Sequence, residues 1–260
     1  MSSTDTPTAV GDAPTLAARR LDGLADRVAR SRPADDDASD HGDSPSGDSD
    51  VIDVFAPATD ERIGRVPACD ADDVEAAVER ARDAQAAWAE TPATERARIV
   101  DRFGDLVAER REELLDVLQV ETGKSRRTAV EELFDVPTGC SYVASEAPDA
   151  LAEERRRGVA PGITTATVTR EPVGVVGVIS PWNYPLTLSM ADAIPALAAG
   201  NAVVLKPDEK TPYGALLLSE LLEVAGLPDD LFQVVTGEGP EVGPPLIDAV
   251  DYVAFTGSTA

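Results

Sequence analysis

Residues 173–209, VGVVGVISPWNYPLTLSMADAIPALAAGNAVVLKPDE, decide the fold. Val173 to Ile179 is a short apolar run rich in β-branched residues, the pattern of a strand buried on both faces. Ser180, Pro181, Trp182, Asn183, Tyr184 and Pro185 interrupt it, because two prolines so close together are incompatible with a continuing central strand. Leu186, Met190, Ile194 and Leu197 then recur at helical spacing, and Gly200–Asn201 supplies a helix stop. Ala202 to Leu205 reads as a second buried strand, with Lys206, Pro207, Asp208 and Glu209 at its carboxyl end. The product is a β–α–β unit whose two strands run parallel. Ligands of open α/β sheets bind beyond the carboxyl ends of the strands. Trp182–Asn183 and Lys206–Glu209 are the two polar clusters at that edge.

Downstream, Tyr213 to Ala225 reads as a helix closed by Gly226 and Pro228, and Phe232 to Val235 as a strand. Pro244–Pro245 limits Val242 to Ile247 to the start of a helix, since proline is tolerated only in a first turn. Tyr252 to Phe255 is a fourth strand. Alternating strands and helices predict an α/β fold with a doubly wound parallel sheet, ending where a further helix should begin.

Upstream, Val51 to Phe55 and Arg62 to Val66 read as strands joined by a turn at Pro57–Asp60. Asp72 to Glu90 is helical, with Val74, Ala77, Val78, Ala81 and Trp88 on one side. A single long helix is expected over Thr94 to Val120, with Ile99, Phe103, Val107, Leu114 and Leu118 inward. Gly123 stops it, and a further helix runs from Arg126 to about Ala147 with a kink at Pro137. The alternating TTATVTR of 164–170 is a two-faced edge strand or projecting hairpin, too short to stand alone in water. A neighbouring subunit is one surface for it. Residues 15–30 read as a short amphipathic helix, with Ala17, Leu21, Leu24 and Val28 on one stripe. Residues 31–50 hold almost nothing to bury. The organisation expected is therefore a disordered acidic leader and linker (1–50), a helical part (51–150), a projecting oligomerisation strand (151–172) and a sheet unit (173–260), with order beginning at Val51.

The chain carries 48 acidic residues against 23 basic ones, only three of them lysines: Lys124, Lys206 and Lys210. The excess runs through the whole chain instead of one tail. This predicts a halophile's cytoplasm, where salt screens self-repulsion. No basic face is available for nucleic acid, and Arg155–Arg157 is a short run among acids. Cys69 and Cys140 make neither a disulfide framework nor a metal spacing, and His41 reads as a solvated residue of the acidic tract. No signal peptide is evident, and the longest apolar candidate for a membrane span contains Asp192 and Pro195. A soluble, cytoplasmic protein is expected.

Taken together and in order, PWN (181–183), KPDE (206–209) and FTGS (255–258) resemble the aldehyde dehydrogenase superfamily. The flanking AIPALAAGNAVVLKP, AGLP, VAFTGSTA and the ETGK of 121–124 look like it too. The resemblance covers roughly residues 51–260, the amino-terminal half of such an enzyme, and is nearest to bacterial and archaeal succinate-semialdehyde dehydrogenases. It implies a Rossmann-like cofactor domain for NAD, preferred, or NADP, a small aldehyde substrate and a homo-oligomer. The complete enzyme would form a thiohemiacetal on cysteine, pass hydride to nicotinamide and hydrolyse the resulting thioester.

Residue by residue, the resemblance makes Asn183 the catalytic donor to the oxyanion formed when a thiolate attacks the carbonyl. From the residues alone, Asn183 reads as a turn-former before Tyr184–Pro185; the PWN context favours catalysis. Lys206 and Glu209, with Asp208, would meet the adenosine ribose, against the alternative of a surface ion pair. Gly257–Ser258, after Phe255, would sit under the pyrophosphate, or form an ordinary turn. Gly239 and Pro240 would border the adenine. Ile179, Ser180, Pro181 and Trp182 would line the nicotinamide side. Tyr184 and Leu188 would wall the aldehyde tunnel, unless they only pack in the core.

Two departures follow. The family's nucleophilic cysteine and general-base glutamate both lie downstream of FTGS, so the chain as given is expected to be inactive alone. It is half of an oxidoreductase or, alternatively, a truncated cofactor- or partner-binding module. The arginine that some succinate-semialdehyde dehydrogenases carry shortly after PWN is also missing, since LTLSMADA has Ala191 and Asp192 there. A carboxylated substrate needs a cation from elsewhere.

Overall fold

A computed structural model describes residues 14–29, 51–160 and 162–257. The chain opens with helix α1 (Pro14–Ala29), strands β1 (Val51–Ala56) and β2 (Glu61–Pro67), and helix α2 (Ala71–Ala89). Three helices follow, α3 (Ala93–Glu109), α4 (Arg111–Thr122) and α5 (Arg126–Leu151), then strands β3 (Glu154–Arg157) and β4 (Thr165–Val168). The alternating part is β5 (Val175–Ile179), α6 (Pro185–Ala198), β6 (Ala202–Lys206), α7 (Pro212–Ala225), β7 (Phe232–Val234), α8 (Gly239–Ala249) and β8 (Tyr252–Phe255).

The four late strands form one parallel sheet in the order β7-β6-β5-β8. The chain winds outward from β5 to β6 and β7, then returns across the sheet to β8. The strand order therefore reverses between β5 and β8, the place where doubly wound sheets hold ligands. Helices α2 and α8 pack on one face, α6 and α7 on the other, and α1, α3, α4 and α5 pack outside α6 and α7. Burial on both faces explains the uninterrupted apolar runs of β5 and β6. Helix α7 lies between the sheet and the outer helices, so Leu216, Leu217, Leu218, Leu221 and Leu222 are all buried around its circumference.

Arg96 joins α2, α3 and α6. Its buried guanidinium donates to the Ala198 carbonyl at 2.9 Å and to the carbonyls of Trp88, Ala89 and Thr91. These lie at the carboxyl ends of α6 and α2, where helices leave acceptors unpaired. Gly64 of β2 lets Tyr213 approach: a Cβ there would lie 2.1 Å from the tyrosine oxygen. That hydroxyl donates to the Arg65 carbonyl at 3.2 Å.

Several expectations need correction. Structure begins before Val51, since α1 buries Leu21, Leu24 and Val28 in the common core against β2 and α7. Arg20 fixes its outer side through Glu113 at 2.7 Å and through Glu220. The remainder of the leader and linker, His41 and the Ala17 side chain lie outside the described residues. The helix expected over 94–120 is two helices, broken at Arg110 (φ −92°, ψ 16°). The apolar spacing continues unbroken through the joint; both helices pack on α5 and α7, but α3 also meets α6 whereas α4 turns onto β1. Arg110 steadies the joint by bonding Glu113. Helix α5 passes through Pro137 and Pro148 and ends at Leu151 instead of near Ala147. Helix α8 starts at Gly239, with Pro244 and Pro245 inside it. The carbonyls those prolines leave unpaired, on exposed Pro240 and Glu241, face water.

The 164–170 alternation does form a strand. Its partner is the arginine run that sequence reading left unassigned: Glu154 pairs with Val168 and Arg157 with Thr165, antiparallel. All four residues of β4 are exposed, as are Val159 and Ile163 at the tip.

Burial of the α1 stripe has a direct consequence. Leu24→Ala is expected to lower unfolding stability by about 2–5 kcal/mol, measured by chemical denaturation. An unstructured leader would give no change.

Candidate active site

Three strand ends meet at the carboxyl edge of the sheet. Ser180 N–H donates to the Lys206 carbonyl at 3.1 Å, and Thr256 N–H to the Ile179 carbonyl at 3.0 Å. Backbone bonds therefore place Ile179–Ser180 of β5 between Lys206 of β6 and Phe255–Thr256 of β8. Pro181, Trp182, Asn183 and Tyr184 form the turn from β5 into α6; Trp182, Asn183 and Tyr184 are exposed. The Asn183 amide makes no hydrogen bond among the described residues. A buried Ser180–Ser189 hydroxyl pair, 2.8 Å apart, closes the base of this turn. Leu188 is half-buried on the first turn of α6.

Lys206 is buried, and its Nζ lies 3.6 Å from a Glu209 carboxylate oxygen. Asp208 accepts from the Lys210 amide at 3.1 Å, and burial raises its pKa above the usual carboxylate value. Lys210 Nζ stands 6.0 Å from the Trp182 ring centroid, linking the two clusters loosely. Gly239 and Pro240 begin α8 on the exposed side, and Gly257 follows β8, also exposed. Ser258 lies outside the described residues. The proposed groups thus gather along one edge, from three strand ends and one helix start. Their chemistry fits a dinucleotide: a carboxylate and an ammonium for ribose, and exposed glycines at the α8 start and after β8 for phosphate.

Beneath this edge lie two buried glutamates. Helices α6 and α7 both begin with proline at the first helical position, after Tyr184 and Thr211, neither of which caps its helix with a side chain. The caps come from the outer helices. Glu132 of α5 accepts from Leu186 N–H at 2.6 Å and Thr187 N–H at 3.4 Å. Glu121 of α4 accepts from Tyr213 N–H at 2.6 Å and Gly214 N–H at 2.9 Å. Because Glu121 already occupies those amides, the Thr211 hydroxyl is left buried without a hydrogen-bond partner among the described residues. Glu132 is neutralised by Lys124 at 2.6 Å, and Lys124 also lies 3.9 Å from the Tyr184 ring centroid. Glu121 forms no salt bridge among the described residues. Burial, seconded by Glu132, pushes its pKa up to about 8 against the pull of its two amide donors. ETGK was noticed in the sequence, but not this task, and Glu132 was missed altogether. An acid in an outer helix has the signature of a solvated face, and only packing reveals its partner.

The aldehyde dehydrogenase family model matches residues 44–260. The chain belongs to this family. Among curated relatives, a putative NADP(+) succinate-semialdehyde dehydrogenase of Mycolicibacterium smegmatis is 52% identical, over 78% of this chain and 39% of its own. A peroxisomal aminoaldehyde dehydrogenase of Malus domestica is 37% identical. Among solved structures, an NAD-dependent aldehyde dehydrogenase from Sinorhizobium meliloti is 39% identical with a TM-score of 0.76, over 80% of this chain and 42% of that one. An aldehyde dehydrogenase from Brucella melitensis superposes at a TM-score of 0.77. The chain thus spans about two-fifths of the length of these family members.

The two cysteines fit structural roles. Cys140 is buried and its thiol is pushed up to about 12 by burial, which suppresses the thiolate a nucleophile needs. Cys69 is buried beside the Thr236 hydroxyl. No helix among the described residues is long and apolar enough to cross a membrane.

The environment of Glu121 predicts a pH dependence. Its folded pKa lies above its unfolded value, so between about pH 4.5 and 8 the folded state holds the extra proton, and stability falls as pH rises through that window. Denaturation midpoints measured from pH 5 to 8 are expected to show this fall. Glu121→Gln is expected to flatten it, at a cost of about 1–3 kcal/mol for the amide left unpaired.

Proposed function

We propose that this chain forms the cofactor-binding part of an NAD(P)-dependent dehydrogenase that oxidises an aldehyde to its carboxylic acid, with succinate semialdehyde the leading candidate substrate. The observation that carries this reading is the gathering of Ile179–Asn183, Lys206–Glu209 and Phe255–Gly257 on one sheet edge, where the strand order reverses. The mycobacterial relatives' names support the substrate.

In this reading Lys206 and Glu209 hold the ribose, with Asp208 supporting the turn. Gly257 and Ser258, with the α8 start at Gly239–Pro240, receive the phosphate and adenine end. Ile179, Ser180, Pro181 and Trp182 border the nicotinamide, which supplies a hydride acceptor when bound. Tyr184 and Leu188 guide the aldehyde, and the free amide of Asn183 donates to the carbonyl oxygen as it gains negative charge. An exposed amide without a partner among the described residues breaks no protein hydrogen bond when it turns towards that oxygen. In this reading the buried Cys69 and Cys140 keep structural roles and neither serves as nucleophile. The acid excess supports a cytoplasm of concentrated salt.

In the full-length protein, Asn183→Ala is expected to slow acylation by about 10²–10³-fold and leave the cofactor Kd unchanged, read by single-turnover kinetics. An unaltered rate would return Asn183 to shaping the turn. The exposed β3–β4 hairpin is expected to pack on a second subunit; a monomer by sedimentation in multimolar salt would contradict this.

Glu209 governs the cofactor preference. A carboxylate accepts from both ribose hydroxyls of NAD but faces the 2′-phosphate of NADP as a second anion. Lys206, already 3.6 Å from Glu209, offsets part of that repulsion. Salt weakens it further, since the Debye length is about 3 Å near 1 M. An NAD preference that narrows with rising salt is expected. Glu209→Ser should tighten NADP about tenfold, roughly 1.4 kcal/mol, most clearly at low salt. Cofactor dissociation constants across a salt series check both, and an NADP preference at every salt concentration would exclude Glu209 as the discriminating group.

A further inference from the structure

We infer that Glu132 and Lys124 form a positioning pair that sets the Pro181–Pro185 turn, and through it the placement of Asn183; this rests on the dehydrogenase reading above. Glu132 is fully buried on α5, remote from the proposed ligand edge in sequence, yet each end of its carboxylate serves the turn. One oxygen takes the Leu186 and Thr187 amides, three and four residues after Asn183. The other takes Lys124 Nζ at 2.6 Å, and that ammonium lies over the ring of Tyr184, the residue next to Asn183. Thr187 reinforces the junction, its hydroxyl lying 3.2 Å from both the Glu132 carbonyl and an Asp135 carboxylate oxygen.

The Asn183 amide itself has no bond among the described residues, and its turn is exposed. Its position is therefore inherited from its neighbours. On the upstream side Ser180 is held by Ser189 and by the Lys206 carbonyl. On the downstream side Glu132 and Lys124 are the corresponding restraint. A helix cap alone would not require this arrangement: a serine or aspartate in place of Tyr184 would satisfy the same amides locally. The structure instead uses a distant carboxylate with its own buried lysine, and that lysine reaches the turn. A donor misplaced by about 1 Å loses much of its effect on the rate.

The test uses the full-length protein with Glu132→Leu, Lys124→Met and the double substitution. The double variant replaces both charges, so no buried charge is left alone and folding is protected. Hydrogen exchange is read at Leu186–Thr187, with Tyr213–Gly214, capped by Glu121, as the internal reference. Faster exchange at 186–187 alone is expected in Glu132→Leu and the double variant, because leucine offers those amides no acceptor. In kinetics, kcat for aldehyde oxidation should fall roughly 10- to 100-fold while the cofactor Kd stays within about twofold. Combined with Asn183→Ala, the double substitution should cause no further loss, because both act through one donor. Unchanged exchange, or losses that simply multiply with Asn183→Ala, would overturn the inference. If the wild-type protein oxidises no aldehyde, the dehydrogenase reading fails, and the exchange measurement still decides whether Glu132 sets the turn.

Discussion

Two buried carboxylates hold the sheet unit to the helices around it. Helices α6 and α7 leave the carboxyl ends of adjacent strands, and both begin with proline, which has no N–H of its own. Their next two amides are taken by Glu132 and Glu121 from the outer helices. A buried helix start without acceptors would be costly, and its positive end favours an anion. The same bonds satisfy the backbone and dock α4 and α5 against the two crossover helices. The turns in front of those helices are where the proposed ligand groups lie, so the docking contacts also determine site geometry.

The two glutamates solve the cost of buried charge differently. Glu132 has Lys124, one of only three lysines in the chain. Glu121 has amide donors but no ammonium, and burial raises its pKa to about 8. Burial of Glu121 therefore couples fold stability to its protonation. All three lysines serve this region: Lys124 at the Tyr184 turn, Lys206 at Glu209 and Lys210 near Trp182. Arginines carry the outer ion pairs, as in Arg20 with Glu113 and Arg126 with Glu112 and Asp116.

The outer surface leaves apolar side chains exposed at two places. The β3–β4 hairpin presents exposed Val159, Ile163 and Val168, and β8 leaves Tyr252 and Phe255 exposed at the sheet's side. Large apolar side chains gathered on a surface commonly mark protein contacts. The family members matched here are more than twice as long as the matched region, which accords with such cover.

Local chemistry wrote much of this protein into its sequence. The β5–α6–β6 unit, the Gly123 stop, the β1–β2 hairpin and the amphipathic α1 follow from apolar period, β-branching and turn residues, which act over a few neighbours. The motifs at the strand ends were legible for the same reason: strand ends are local, and parallel winding brings them to one edge. What the tertiary structure alone decided depends on partners distant in sequence. The Arg110 break is invisible in an apolar period that continues across it, and comes with α3 reaching α6 while α4 reaches β1. The arginines of β3 carry no strand pattern and become one by pairing with Thr165–Val168. Glu121 and Glu132 look like solvated acids until α6 and α7, dozens of residues away, bring their unpaired amides to them. A charge's role is fixed by what surrounds it, and the surroundings exist only once the chain has folded.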